Sequence, residues 1–207
     1  MKKMLFLACM ALTLAACEKD PDMNQLDADL VVYTDHDNNA AFDGYKTYFL
    51  PDSILEAGGY KASYWKDENA KALVDAVAQQ MYTRLTDPEK KDQADVGVQL
   101  SYVAQTNHVV SYPSYGGWWD YGFWGPWWGG WYYPYPVSYS YDTQTMLIEM
   151  VDLTKKDTSE VKKQDIPVVW YVSMSGFMYG NGRVNQQLLL DGVNQAFEQS
   201  PYIQSNK

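Results

Sequence analysis

The segment Tyr112–Tyr141 sets the tightest limit on how this chain can fold. Fifteen of its thirty residues are aromatic and ten are Gly or Pro. Its centre, GGWWDYGFWGPWWGGWYYPYP at Gly116–Pro136, holds six of the eight Trp and one charge, Asp120. That much Gly and Pro rules out a membrane-crossing helix. Rings at this density are also the opposite of what disordered segments carry. The segment is therefore an excursion from the regular elements that flank it, and loops of this length are usually functional.

The flanks read as strands. In Val96–Tyr102 (VGVQLSY) apolar residues alternate strictly, so one face is apolar and the other polar or crowded. Thr145–Leu153 (TMLIEMVDL) is apolar on both faces, as a central strand is. Val168–Met174 is a further run of this kind, and a polar hairpin around Lys155–Ser159 joins the two. Upstream, Leu30–Tyr33 and Tyr45–Leu50 have strand composition. Asp35-His36-Asp37-Asn38-Asn39 between them is turn chemistry, and Pro51-Asp52-Ser53 ends the second strand. Two amphipathic helices complete the pattern. Leu73, Val77, Met81 and Leu85 recur four apart within Glu68–Leu85, as do Leu189, Val193 and Phe197 within Val184–Gln199. The expectation is an α+β domain: a single, mainly antiparallel sheet of about five strands, with two helices on one face. The aromatic segment 112–141 would be the loop between the third and fourth strands.

The N-terminus points to a compartment. Lys2 and Lys3 precede an apolar run, Met4–Leu14, that is too short to span a bilayer and reads as a signal-peptide core. Leu14-Ala15-Ala16-Cys17 resembles a bacterial lipobox, which implies cleavage after residue 16 and lipidation of Cys17. Residues 17–28 would then be the acylated cysteine (palmitate among its acyl chains) and a linker, and 29–207 the domain. Multiple acyl chains tether a protein stably, so the resemblance implies permanent membrane attachment through the N-terminal lipid. The charged residues Glu18–Asp22 are similar to export tags of surface lipoproteins in Bacteroidetes. They imply an outer-membrane lipoprotein of the cell envelope exposed on the surface, with the periplasmic leaflet as the alternative. Cys9 leaves with the leader and Cys17 carries lipid, so neither disulfides nor cysteine catalysis are expected.

Charge excludes a further class. Without Lys2 and Lys3 there are 14 basic and 26 acidic residues, a net charge of −12. Such a surface repels phosphate backbones, so no nucleic acid is expected as a partner.

Motifs for chemistry fail on their spacing. Asp35–Asn39 offers alternating oxygens, but a calcium loop needs Gly at its sixth position and Glu at its twelfth, where this chain has Ala40 and Lys46. His108 has no neighbouring acid or thiol in sequence, and Ser173-Met174-Ser175-Gly176 lacks the Gly-x-Ser-x-Gly pattern of a nucleophile elbow. The expectation is no catalytic residue, no metal, no cofactor and no enzyme activity.

Across the domain the order of motifs resembles one family. "AAFDGYKTYFLPDS" (Ala40–Ser53) is followed by "ADVGVQLSY" (Ala94–Tyr102), a Gly/Tyr/Trp-rich insertion and "TMLIEMVDLTKKD" (Thr145–Asp157). "VVWYVSMSG" (Val168–Gly176) and a last helix ending "AFEQSPY" (Ala196–Tyr202) complete it. This is similar to DUF4136, a family of bacterial envelope lipoproteins, in a Bacteroidetes-type form. The family commonly has Trp-x-Gly where this chain reads Trp170-Tyr171-Val172. The resemblance implies no activity, so it carries over no catalytic residue.

The aromatic segment leaves four readings. Its rings could pack on the domain's own sheet. Trp and Tyr together suit a membrane–water interface. Flat rings also stack on sugars or on an envelope protein's contact residues, and alternating aromatic and Gly residues can self-associate. Candidate interaction residues are Trp118, Trp119, Trp124, Trp127, Trp128, Trp131, Tyr132 and Tyr133. The preferred expectation is a structural or interaction role at a membrane or envelope partner. The alternative is a surface glycan-binding lipoprotein.

Overall fold

The computed structural model describes residues 30–57, 63–82, 93–103, 128–135, 144–155, 164–177 and 185–203. Cys17 and the linker lie outside the described residues, as do His108 and most of Lys155–Ser159.

Among the described residues there are eight strands and two α-helices: β1 (Val31–His36), β2 (Tyr48–Phe49), β3 (Ile54–Ala57), β4 (Ser63–Trp65), α1 (Glu68–Tyr82), β5 (Val96–Val103), β6 (Trp128–Tyr132), β7 (Thr145–Asp152), β8 (Gln164–Ser175) and α2 (Gln186–Glu198). Six strands run in the order β1-β8-β7-β5-β3-β4, while β2 pairs with β5 and β6 with β8. The α+β class and the two helices agree with the sequence reading. A five-strand, mainly antiparallel sheet does not: β2 and β3 both pair parallel to β5, and β6 pairs parallel to β8.

The parallel pairs have a local cause. Pro51 cannot donate to a ladder, and here the chain bends out and resumes as β3, so β2 and β3 are two pieces of one interrupted strand along β5. Parallel neighbours need a long crossover, which β4 and α1 supply. At the other end β1 continues through Asp35 and His36, which were expected in the turn. The turn itself is held by Asp37, whose Oδ1 accepts from the Asn39 backbone N–H at 2.8 Å.

Both helices are capped at their starts. Asp67 Oδ1 accepts from the Asn69 and Ala70 N–H groups at 2.9 Å, and Asn185 Oδ1 accepts from the Leu188 N–H at 3.2 Å. They pack together on one face of the sheet. Leu73, Val77, Met81, Leu189, Val193 and Phe197 share a core with Val98, Leu100, Ile148, Trp170 and Val172. Gly192 lets α2 approach closely, since a Cβ there would lie 2.7 Å from Met174 Sδ. That contact explains a glycine inside a helix, where it costs about 1 kcal/mol relative to Ala.

The aromatic excursion has a fixed base. Val103 pairs with Thr145 across β5 and β7, and the Gln144 N–H donates to the Val103 carbonyl at 3.0 Å. The described residues on either side of it, Val103 and Gln144, therefore lie at the ends of adjacent strands, and part of the segment expected to be a loop is strand β6.

Candidate functional site

Side chains alternate across each strand, so β5, β7 and β8 present a second set to the face away from the helices. Leu147, Val151, Val168 and Tyr171 form a separate apolar cluster there with Ala94, Val103, Leu153 and Ile166. Polar residues run through it. The strand registers align Asp35, Tyr171, Glu149 and Gln99 in one row across β1, β8, β7 and β5. Glu149 is fully buried and Gln99 nearly so; the Gln99 Nε2 donates to the Ser101 Oγ at 2.9 Å.

The aromatic excursion supplies what lies over this row. After β6, Tyr133 turns its ring into the cluster and sets it edge-on against Tyr171 and Tyr135, with centroids 5.8 and 6.0 Å apart. Its hydroxyl donates to Glu149 Oε1. Glu149 Oε2 and the Tyr135 hydroxyl have no hydrogen-bond partner among the described residues.

Electrostatics follow from this geometry. Burial disfavours the carboxylate form and pushes Glu149 up to about 7, against a weaker downward pull from the Tyr133 hydrogen bond. Burial also raises Tyr135, and the nearby charges of Asp35 and Glu149 add to the rise. The site is thus a carboxyl group that is readily protonated near neutral pH, walled by tyrosine rings. Elsewhere, Tyr45 is raised by burial and by the nearby charge of Asp152, with its hydrogen bond to Asp152 adding to the rise. Among the described residues no group of three or more His, Cys, Asp or Glu could hold a metal ion. None of the described helices is long and apolar enough to cross a membrane.

Residues 32–202 match the family model for DUF4136, a domain of unknown function. The chain belongs to the DUF4136 family. A crystal structure of a DUF4136 family protein from Bacteroides thetaiotaomicron has a TM-score of 0.73 and 36% identity, covering 86% of this chain and 98% of that one. Comparison with curated proteins finds no match.

Within this DUF4136 domain the sequence candidates separate. Trp118, Trp119, Trp124 and Trp127 lie outside the described residues. Trp128 and Trp131 sit on β6, paired with Gln164 and Ile166 of β8. Tyr132 is half-buried at the end of that strand, and Tyr133 is buried on Glu149. His36, in the segment set aside as a calcium loop, stacks on Tyr202 at 4.0 Å. Where the family commonly shows Trp-x-Gly, Trp170 and Val172 point into the helix-side core, and Tyr171 faces Glu149. Glu149 itself went unnoticed in the sequence. Its signal was there: one ionisable residue at the middle of a strand apolar on both faces.

Proposed function

We propose that this DUF4136 protein is a non-enzymatic, lipid-anchored envelope protein, tethered through Cys17, whose domain serves as an interaction module. In this reading the aromatic insertion meets a membrane interface or an envelope partner. One observation carries it: part of the insertion is built into the domain, through β6 on β8 and Tyr133 on Glu149. The Trp-rich residues before β6 therefore join a base that is paired to the sheet and are not a free tail. A base of that kind lowers the entropy lost when rings are ordered against a surface. Trp and Tyr are also the side chains that settle at membrane–water boundaries and dominate protein contacts.

The test is deletion of residues 116–127, which leaves β6 and Tyr133 in place. The unlipidated deletion protein should lose flotation with liposomes, and the lipidated one should lose partners captured from its own envelope. Unchanged association in both assays overturns the reading.

A surface glycan-binding role is the second reading. Its support is the Trp and Tyr content of the insertion, whose flat rings suit stacking on sugars. It predicts quenching of Trp fluorescence by polysaccharides that is lost in a Trp127→Ala, Trp128→Ala, Trp131→Ala triple variant. A flat titration over a broad glycan panel excludes it.

A further inference from the structure

We propose that the Glu149–Tyr133 contact is a proton-operated latch, which holds residues 128–135 on the sheet while Glu149 is protonated and releases them when it ionises. This is a property of the domain, independent of what the Trp residues before β6 touch.

The two sides of the contact differ in how firmly they are held. Glu149 sits at the middle of β7, paired on one side to β5 and on the other to β8. Tyr133 follows a five-residue strand, WGGWY, whose pairing with β8 slips in register between Trp128 and Gly130. Glycines and a register slip both weaken a ladder. Breaking the contact therefore displaces the 128–135 segment and leaves β7 in place.

The surroundings of Glu149 decide what ionisation does. Tyr171 faces it from β8, Gln99 from β5, and Tyr133 and Tyr135 from the excursion; Asp35 ends the same row on β1. The helices lie on the opposite face. None of these groups is a cation, and Asp35 adds charge of the same sign. An ionised Glu149 would have the Tyr133 hydroxyl on one oxygen and no partner among the described residues on the other. Leaving a carboxylate oxygen buried and unsatisfied is unfavourable, and admitting water relieves it. Opening would uncover Leu147, Val151, Val168 and Tyr171 around a negative charge.

The direction with pH follows by linkage. In the closed state burial holds Glu149 at about 7, whereas its ordinary value is 4.5. The opening equilibrium therefore rises as pH climbs between those two values and levels off above the higher one. From about pH 5 to about pH 8 the increase is on the order of 50-fold.

Hydrogen exchange of the mature chain tests this at both pH values, after correction for intrinsic rates. The β6 amides should lose protection by that factor and should exchange faster than those of Val98 and Ile148 at both pH values, because they open without unfolding the sheet. Glu149→Gln, which keeps the shape and cannot ionise, should make the β6 protection independent of pH. Tyr133→Phe should loosen β6 already at the lower pH. The latch is overturned if wild-type β6 protection does not change with pH, or if Glu149→Gln retains the change. It is equally overturned if the β6 amides are as strongly protected as those of Val98 and Ile148 at both pH values, which would be opening of the whole domain. Unchanged β6 protection at the lower pH in Tyr133→Phe also rules it out, and this variant decides the matter should Glu149→Gln fail to fold.

Discussion

On the helix side of the sheet, the buried Trp170 places its indole N–H on Ser200 Oγ at 2.8 Å and packs its ring against Phe197. On the other side, the equally buried Glu149 has one oxygen on Tyr133 and one with no partner among the described residues. Both faces exclude water. The first satisfies its polar atom with a residue fixed just beyond α2, and the second with a residue from an excursion. The difference separates a face organised for stability from one whose closure depends on protonation state.

The largest effect should come from the helix side. Trp170→Ala should cost about 3–5 kcal/mol in urea unfolding, with little change between acidic and neutral pH. A loss much below that range would mean the helix-side core is not the main source of stability.

The second effect belongs to the other face and depends on pH. Glu149 has a folded-state value, about 7, above its ordinary 4.5. The unfolded chain thus gives up this proton first as pH rises. The stability from protonated Glu149 is full below about pH 4.5 and is lost on the way to about pH 7. Its share amounts to about 3 kcal/mol. Stability against pH for the wild type and Glu149→Gln should differ in slope across that window; parallel curves would remove the contrast between the faces.

Two smaller substitutions sharpen it. Ser200→Ala, which strands the Trp170 indole N–H, should cost about 1–2 kcal/mol equally at both ends of that window. Tyr133→Phe should cost about 1 kcal/mol, with a Glu149-dependent pH slope persisting beneath it. Chemical denaturation of each variant at two pH values checks both.

Regular elements were legible where a period ran long enough to be read. The Leu73/Val77/Met81 and Leu189/Val193/Phe197 spacings placed both helices, and VGVQLSY and TMLIEMVDL placed β5 and β7 to within one residue. β3 and β4 were missed because four and three residues show no period. β6 was missed because WGGWY has two glycines and no alternation; its strand conformation comes from the ladder that β8 offers. The polar half of β5 was read as crowded or polar, but its burial could not be foreseen. Tyr133, which packs in that face, is thirty residues beyond β5 in the chain. Glu149 was visible as an anomaly, but only the register places it between Tyr171 and Gln99.

The pairing of Val103 with Thr145 has a practical consequence for anyone exchanging this excursion with that of a relative. Its ends meet on neighbouring strands, about 5 Å apart, and closing a loop of different length across them changes the entropy little. Length is therefore not what limits a graft. A donor sequence without a hydroxyl at the place of Tyr133 would leave a bare acid inside the recipient, so loop and Glu149 should be transplanted together. The two form one structural unit although they lie sixteen positions apart in the chain.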